Sequence, residues 1–485
     1  MKLFSEFSVS SSLSRRAYSS LQKTQIRTRS SRKSPVFESI YRSIAHLGDP
    51  NVSVVPALDE WIRKGNSAKK WDLQRVITEL MAFKRFRHAL EVSLWMSNEK
   101  RYPISPFDIA VRLKLILKNF SIEQAESYFS KIPEHVRTYQ IYLALLNCYT
   151  ISQYVDKAES IMQKARDLGY ADKPIWYNLM MNLYCRLGNR EKLRELLAEM
   201  ESKGICYDEF TYSVCLSACA AASDAEGMER VVRVMESDPE VVVHWRTLVT
   251  AAQGYLRIGS TNEAVEVVKK LEKQLKTGSQ RYVLLAFILN LYAEAGKKEE
   301  LYRIWKASKD GKVVNKVYIS MMRSLMKFND IEGMEKIFRE WESGASLFDF
   351  RVANFLIDAY CTGGCVEKAE ALMAEVVSKG GRPLVLTWCH LAGGYVKKNQ
   401  VAEAVRSLRK GIAACPPKFM SKKQALITCL EYLQNNDCVE EAQELIMSLR
   451  TRFMSEASAS NELPGVREDQ DFEEVLVSED EDVNY

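Results

Sequence analysis

Residues that hold metals or carry out catalysis in recognisable motifs are scarce in this chain of 485 residues. It has five histidines, none followed by x-Glu, and its eleven cysteines form no Cys-x-x-Cys pair, which excludes the zinc site of a nucleobase deaminase. A glycine-rich phosphate loop ending in Lys-Ser or Lys-Thr and a Gly-x-Ser-x-Gly elbow are also missing. We therefore predict a protein that is not an enzyme, with no catalytic residue, no metal and no cofactor.

Long apolar runs are missing as well. Hydrophobic residues make up 47% of the chain, yet no stretch approaches the roughly 18 to 20 consecutive apolar residues that cross a bilayer. The cysteines stand singly or as i, i+4 pairs, mostly within apolar helical patterns, and we expect buried thiols rather than disulfides. The sequence predicts a soluble protein without a membrane partner.

Acidic residues are nearly absent from the first 37 residues, where eight Lys or Arg accompany Glu6. This segment is rich in serine and lacks a continuous apolar core, as organelle transit peptides do and secretory signals do not. Arg16-Ala17-Tyr18-Ser19 resembles the Arg-x-Tyr/Ser processing site of plant mitochondrial presequences. We predict a disordered transit peptide at residues 1–35 and a location in the mitochondrial matrix. The alternatives are delivery to the chloroplast and a disordered basic arm.

The opposite charge collects in the last 31 residues. Residues 455–485 contain eleven acids and only Arg467, a net charge of −10, whereas the first 37 residues carry +7. Since the whole chain carries +5, the segment between them carries +8. A like-charge run of this kind is usually disordered, and we predict an acidic disordered tail at residues 451–485. The basic segment suggests a polyanionic partner.

A short motif recurs along most of the chain. A small or apolar residue, often preceded by an acid, follows a glycine-like turn by five positions. It is found at Ala89, Ala125, Ala158, Leu193, Met228, Ala264, Leu301, Met334, Ala369, Ala404 and Ala442. The spacings run from 33 to 38 residues with a mean of about 35, and a fixed period of this length is the signature of a repeat protein.

Each repeat predicts two amphipathic helices separated by a turn such as Gly188. The i, i+3, i+4, i+7 spacing of one apolar helix face is seen at Met180, Leu183, Tyr184 and Leu187, and again at Leu193, Leu196, Leu197 and Met200. A helical hairpin of this size cannot bury both apolar faces alone, so neighbouring hairpins must stack into a solenoid. We predict capping helices at residues 36–70 and the repeat array at residues 71–450.

The repeat resembles the pentatricopeptide repeat. The family pattern has a start like Thr-Tyr-Asn-x-Leu-Ile, a middle like Tyr-Cys-Lys-x-Gly and an end like Met-x-x-Lys-Gly-Ile-x-Pro-Asp. Residues 176–208 match it closely and residues 352–384 nearly as well. The tetratricopeptide repeat expects a recurring Trp-x-x-Leu-Gly-x-x-Tyr, which this chain does not show. The resemblance is to the P class, in its short plant mitochondrial form. It implies an all-α, right-handed superhelical α-solenoid of about eleven 35-residue helix-turn-helix repeats.

The resemblance also implies residues that read RNA bases. In this family a residue near the start of the first helix acts together with the last residue before the next repeat, and one repeat reads one base. Asn178 with Asp208 is the best such pair, and in the family it favours uracil. Further candidates are Ser213, Asn354 and Asp349. Other repeats carry Val, Leu or Ile at the first position, and these side chains cannot hydrogen-bond a base.

Two more sets of residues are implied by the resemblance. Cations near the RNA backbone are expected two residues before the turn, at Lys118, Arg186, Arg257, Lys327 and Lys397. Residues that bracket the bases are expected three positions before the reading residue, at Ile175, Phe210, Val283 and Leu386. The alternatives are cations that stabilise helix ends, apolar staples at helix starts and, for Asp208 and Asp349, helix capping.

These patterns lead to two functional hypotheses. The first is an organellar protein that binds single-stranded RNA as a monomer and acts in transcript stabilisation, processing or translation. The second is a scaffold or accessory factor of the mitochondrial ribosome or another ribonucleoprotein, in which protein contacts replace base contacts. We also predict that the acidic tail competes with RNA for the basic groove.

Overall fold

The computed structural model describes residues 35–47, 52–97, 102–238, 241, 243–275, 279–308, 313–344 and 349–414. The described residues form 22 α-helices and one short 3-10 helix at Glu134–Val136, and they contain no β-strand. The all-α fold predicted from the sequence is therefore confirmed. The predicted transit peptide, the acidic tail and the eleventh repeat, anchored at Ala442, lie outside the described residues.

The chain divides into two compact units, residues 1–260 and 261–485. In the first unit, α1 (Pro35–Ala45) and α2 (Val55–Arg63) precede the repeats. The repeats then supply α3 (Lys70–Ala82), α4 (Phe86–Ser97), α5 (Pro106–Asn119), α6 (Ile122–Ser130), α7 (Tyr139–Ile151), α8 (Val155–Asp167), α9 (Pro174–Arg186), α10 (Arg190–Ser202), α11 (Glu209–Ala221), α12 (Ala225–Ser237) and α13 (Trp245–Ile258).

The second unit continues the same alternation. Its helices are α14 (Thr261–Glu272), α15 (Ser279–Glu294), α16 (Lys298–Ala307), α17 (Asn315–Lys327), α18 (Ile331–Gly344), α19 (Phe350–Thr362), α20 (Val366–Ser378), α21 (Val385–Lys397) and α22 (Val401–Ala414). We call the first helix of each repeat helix A, which includes every odd-numbered helix from α3 to α21, and the second helix B. Ten repeats have both helices among the described residues.

Helices A form an inner layer within each unit. Consecutive helices A pack on each other from α5 to α13 in the first unit and from α15 to α21 in the second. Each of these helices also packs on a helix B. Helix α9 accordingly buries eight of its thirteen residues, on all sides. Helix α10 buries only the single stripe of Leu193, Leu196, Leu197 and Met200. This is the stacking that the two apolar faces predict, and it makes each unit an α-solenoid.

The turn between helices A and B needs a left-handed backbone conformation. Gly188 adopts φ 68° there, and Gln153, Ser223, Asn329 and Asn399 adopt positive φ at the equivalent place. Glycine is the residue that tolerates this conformation at least cost. One detail of the predicted apolar stripe is wrong: Leu187 is 43% exposed, because it follows the last helical residue and lies on this turn.

The cysteines follow the prediction in part. Five of those described are buried, at Cys148, Cys215, Cys219, Cys361 and Cys389. Cys206 and Cys365 are exposed instead, because they lie between helices rather than on a packed helix face. All eight described cysteines are free thiols.

Candidate nucleic-acid interface

The predicted reading pairs have a defined place in the fold. The second member of a pair is the N-cap of the next helix A at Ser105, Thr138, Lys173, Asp208, His244, Val314, Asp349 and Leu384. The first member lies near the start of the preceding helix A, as Asn178 does at the fifth residue of α9. The two members therefore come from adjacent helices A at the same end of the stack.

Asn178 and Asp208 are in direct contact. Nδ2 of Asn178 donates to Oδ1 of Asp208 at 2.8 Å. Thr211, on α11, completes the cluster: its hydroxyl lies 2.9 Å from Oδ1 of Asn178 and 2.9 Å from Oδ1 of Asp208. Asp208 also accepts from the backbone N–H of Thr211 at 2.9 Å, which caps α11. The two members of the predicted pair are thus brought together, and both the reading and the capping interpretations of Asp208 fit this geometry.

The cluster holds the amide of Asn178 in one orientation. A carboxylate oxygen can only accept, so the amide atom that faces Asp208 must be the nitrogen. Asn178 is only 8% exposed. Its hydrogen bonds to Asp208 and Thr211 use one N–H and one oxygen lone pair of the amide, so one of each remains. Asp208 is half-buried, and among the described residues no donor reaches its Oδ2. The free polar groups of this cluster are therefore few and fixed in direction.

Asn354 has a simpler environment in the second unit. The hydroxyl of Thr387 donates to its Oδ1 at 2.6 Å, and both side chains are buried. The N-cap that would complete the pair is Leu384, whose side chain offers no acceptor. Asn354 therefore has the threonine contact of Asn178 without the aspartate contact.

Asp349 is engaged by its own helix rather than by a reading residue. Its carboxylate accepts from the guanidinium of Arg351 at 2.7 Å and from its backbone N–H at 3.0 Å. The hydrogen bonds from the Arg351 side chain lower the pKa of the Asp349 carboxyl. Asn315 also donates to it at 3.2 Å. The reading position that would pair with Asp349 is Ile319, so the capping role predominates here.

Ser213 is likewise held by the next helix A. Its hydroxyl lies 3.2 Å from that of Thr247, which in turn donates to Glu209 at 2.9 Å. In the first repeat, Gln74 donates to Asp108 at 2.7 Å. Every polar reading residue among the described helices therefore has a partner on the neighbouring helix A.

The five predicted backbone cations occupy one position of helix A, but they fall on alternate repeats. The repeats between them carry Ala82, Ile151, Ala221, Glu294 and Thr362. Among the described residues, the exposed Arg186 has no hydrogen-bond or ion-pair partner. Lys327 is paired with Glu294 at 3.1 Å. The charged stripe is therefore discontinuous, with a period of two repeats.

Two of these cations lie beside thiols. Arg257 counters the rise that burial causes in the pKa of Cys185. Burial raises the pKa of Cys361 to about 12, and Lys397 opposes this rise. Both thiols are neutral at physiological pH, so they leave the positive charge of the neighbouring cations in place.

The bracketing positions include aromatic residues that the sequence analysis did not select. Phe210 is 44% exposed, whereas Ile175, Val283 and Leu386 are half-buried. The same position in the first two repeats holds Trp71 and Phe107, which are 49% and 54% exposed. The signal was available, since both stand three residues before a reading position. They were missed because the first repeats match the family pattern more loosely.

An ion-pair cluster on the helices B stabilises the first unit. Arg166 of α8 pairs with Glu199 of α10 at 2.7 Å, and Lys203 and Tyr177 also donate to Glu199. Burial alone would raise the pKa of Glu199, but the hydrogen bonds from Arg166 and Lys203 lower it to about 2. Glu375 of α20 likewise pairs with one arginine and one lysine, Arg339 and Lys379. These charges are satisfied within the fold.

The described residues contain no group of three or more His, Cys, Asp or Glu side chains that could hold a metal ion. They also contain no helix that is both long and apolar enough to cross a bilayer.

Comparison with known proteins identifies relatives of this chain. A model of the PPR repeat family matches residues 174–221, and a PPR repeat model matches residues 316–344 and 352–381. The chain is 37% identical over 418 residues to "Pentatricopeptide repeat-containing protein At2g20710, mitochondrial" of Arabidopsis thaliana, covering 86% of this chain and 85% of the relative. It is also 28% identical over 428 residues to "Large ribosomal subunit protein mL101 (rPPR4)" of the same plant, covering 87% of each.

Among solved structures, the chain is similar to the pentatricopeptide repeat protein PPR10 from maize. The TM-score is 0.52 at 16% identity, and the match covers 84% of this chain and 62% of that chain. At this identity the similarity shows the fold alone. Of the three segments that the repeat models match, residues 174–221 contain the cluster around Asn178, and residues 352–381 contain most of the helix that carries Asn354.

Proposed function

Because the chain belongs to the pentatricopeptide repeat family, we propose that it binds single-stranded RNA in an organelle and acts in transcript stabilisation, processing or translation. The observation that carries this proposal is the contact between Asn178 and Asp208, together with Arg186 on the same helix, which has no ion-pair partner among the described residues. The family reads single-stranded RNA with such residues, one base per repeat.

The two ends of α9 offer different contacts. Asn178 and Arg186 are eight residues apart, which separates them by about 12 Å along the helix and places them on adjoining faces. The amide can hydrogen-bond a base edge, and the guanidinium can bind a phosphate. One helix thus supplies both a specific contact and a positioning contact.

Exposed aromatic side chains supply sequence-tolerant binding. Trp71, Phe107 and Phe210 lie at the bracketing position in the first unit and expose about half of their surface. Stacking of a base on such a ring contributes roughly 1–3 kcal/mol and does not depend on which base is bound. We expect affinity from stacking and phosphate contacts, and specificity from only a few repeats.

The test is a titration of the full chain with single-stranded RNA across a range of salt concentrations. Each phosphate contact adds about 0.7 to the slope of log affinity against log salt. Engagement of several of the five cations predicts a clear slope and a preference for uracil at the nucleotide opposite Asn178. Micromolar or weaker binding that ignores salt would contradict the proposal.

The proposed organisation follows the boundaries predicted from the sequence. Residues 1–35 would deliver the chain to the mitochondrial matrix, which agrees with the mitochondrial designation of the Arabidopsis relative. Residues 36–70 would cap the array at residues 71–450, and the tail at residues 451–485 would compete with RNA. An import assay with isolated mitochondria tests the first point: a chain lacking residues 1–35 should not be imported. Binding by a chain lacking residues 455–485, which should be tighter at low salt, tests the last.

The second candidate function is assembly onto the mitochondrial ribosome or another ribonucleoprotein. Two observations favour it: five of the ten reading positions carry Ala, Leu, Val or Ile, and the first unit exposes large apolar side chains such as Phe83 and Phe120. One relative is named as a large ribosomal subunit protein. Stable sedimentation of the native protein with ribosomal subunits after RNase trimming would support this candidate. Sedimentation as a free monomer, with loss of one transcript in a mutant, would support RNA reading.

A further inference from the structure

The third residue of each helix A contacts the reading residue of the preceding repeat wherever both side chains are polar. Four such hydrogen bonds link adjacent helices A. They join Gln74 to Asp108, Asn178 to Thr211, Ser213 to Thr247, and Asn354 to Thr387. The third residue is buried in each case, so this contact lies beneath the surface that a base would meet.

The remaining repeats show the same coupling with apolar residues. Within each unit, where the reading residue is apolar, the third residue of the next helix A is apolar too. The sequence pairs are Ala110 with Ile141 and Leu143 with Trp176 in the first unit, and Ala286 with Val317 and Ile319 with Val352 in the second. No pair mixes the two classes, because a buried hydroxyl or amide without a partner is costly. The third residue therefore determines which side chain the reading position can hold.

An asparagine at a reading position needs more than a partner, because its amide is ambiguous. The amide presents one donor side and one acceptor side, and rotation by 180° exchanges them. Uracil offers an acceptor at O4, whereas cytosine offers a donor at N4. A freely rotating amide would match either base. Discrimination between these two pyrimidines therefore requires that the amide be held in one orientation.

We propose that Thr211 and Thr387 are positioning residues that hold the amides of Asn178 and Asn354 and thereby set the preference between uracil and cytosine. The inference rests on the proposed function. The hydroxyl of Thr387 accepts from the backbone N–H of Leu384 at 3.0 Å and donates to Oδ1 of Asn354 at 2.6 Å, which directs Nδ2 away from the threonine. The hydroxyl of Thr211 accepts from the backbone N–H of Asp208 at 3.2 Å and shares its hydrogen between Oδ1 of Asn178 and Oδ1 of Asp208, each at 2.9 Å. Neither threonine is placed to touch RNA, since both are fully buried.

The two sites differ in how firmly the amide is held. At Asn178, Asp208 fixes the nitrogen side and Thr211 the oxygen side. At Asn354, Leu384 replaces the aspartate, so Thr387 is the only described residue that orients the amide. Removing the hydroxyl should therefore have its full effect at Asn354 and a partial effect at Asn178.

The experiment measures the ratio of affinities for RNAs that differ only by uracil or cytosine at one nucleotide. The nucleotide opposite each asparagine is first located as the one whose ratio falls to 1 in Asn354→Ala or Asn178→Ala. Thr387→Val, which keeps the buried volume, should lower the ratio at its site about five- to tenfold, the effect of one hydrogen bond. Thr387→Ser should preserve it.

The first unit provides a second, independent version of the test. Thr211→Val should lower the ratio opposite Asn178 by less than Thr387→Val does opposite Asn354, and the double change with Asp208→Ala should abolish it. Equal weakening of uracil and cytosine binding, with an unchanged ratio at both sites, would show a merely structural role and overturn the inference. A ratio that does not respond to Asn178→Ala or Asn354→Ala would overturn the proposed function, and this inference with it.

Discussion

The helix pairs α9/α11 and α19/α21 are two versions of one junction. Both place an asparagine at the fifth residue of one helix A and a buried threonine at the third residue of the next. Only α9/α11 adds an aspartate, which caps α11 and binds the asparagine at once. The comparison shows that a single N-cap residue decides how many polar groups of the asparagine are already hydrogen-bonded within the fold.

Removing the aspartate should have the largest effect on the comparison. Asp208→Ala removes a helix cap, worth about 0.5–2 kcal/mol, and also leaves the buried amide of Asn178 without its acceptor. We expect the first unit to lose about 2–3 kcal/mol of unfolding free energy, measured by urea denaturation. Asp349→Ala is the matched control, since Asp349 caps a helix without contacting an asparagine at a reading position. Equal losses in the two variants would contradict the account of the cluster.

The acidic residue of the outer ion-pair cluster should come next. Glu199→Gln removes the charge that Arg166 and Lys203 bind, and we expect a loss of roughly 1–2 kcal/mol at pH 7 after allowance for solvent screening. Since the folded pKa of Glu199 is lowered to about 2, its stabilising contribution is present above pH 4.5 and is lost as the pH falls from there towards 2. Between pH 4.5 and pH 2, the free energy of unfolding should therefore change less in this variant than in the wild type.

The equivalent residue of the second unit is the control for that measurement. Glu375 has similar partners but a more exposed side chain, so Glu375→Gln should cost less than Glu199→Gln. A larger loss at Glu375 would show that exposure does not govern these pairs.

Supplying the missing aspartate should convert one junction into the other. Leu384→Asp places a carboxylate at the N-cap of α21, three residues before Thr387, as Asp208 precedes Thr211. We expect a gain of about 1 kcal/mol from capping, and a higher ratio of uracil to cytosine affinity opposite Asn354. Denaturation and RNA titration measure the two effects separately. A stabilised variant with an unchanged ratio would limit the aspartate to its capping role.

The cations should give the smallest effect. Arg186→Ala should lower RNA affinity a few-fold and reduce the salt slope by about 0.7, because one phosphate contact is lost. Arg339→Ala removes a cation that is already paired with Glu342 and Glu375. That control should leave the salt slope unchanged, and equal changes in both variants would argue against a specific phosphate contact.

Much of the fold follows from the sequence because the repeat constrains it many times over. The 35-residue period, the turn at Gly188 and the stripe from Leu193 to Met200 predict the helix pairs and their stacking, and the structure confirms them. The boundary at Leu187 was wrong, because periodicity alone cannot show where a helix leaves the core. The exposed Trp71 and Phe107 were missed because the first repeats diverge from the pattern.

The sequence predicted which residues form the candidate site, but it did not predict all the hydrogen bonds between them. Asn178 and Asp208 are 30 residues apart, and their pairing follows from the repeat register. The role of Thr211 was not visible, because it depends on a hydrogen bond between adjacent repeats rather than on a motif within one. The same applies to Arg186, whose lack of a partner in the described part of the chain could be seen only once the ion pairs of its neighbours were known.

The most direct test of RNA reading is the binding of the full chain to a single-stranded RNA and to its uracil-to-cytosine variant opposite Asn178. The account predicts that the wild type prefers uracil, and that Asn178→Ala abolishes this preference while leaving overall affinity and its salt slope nearly unchanged. A variant that loses affinity for both RNAs equally, or a wild type without preference at any nucleotide, would contradict the account.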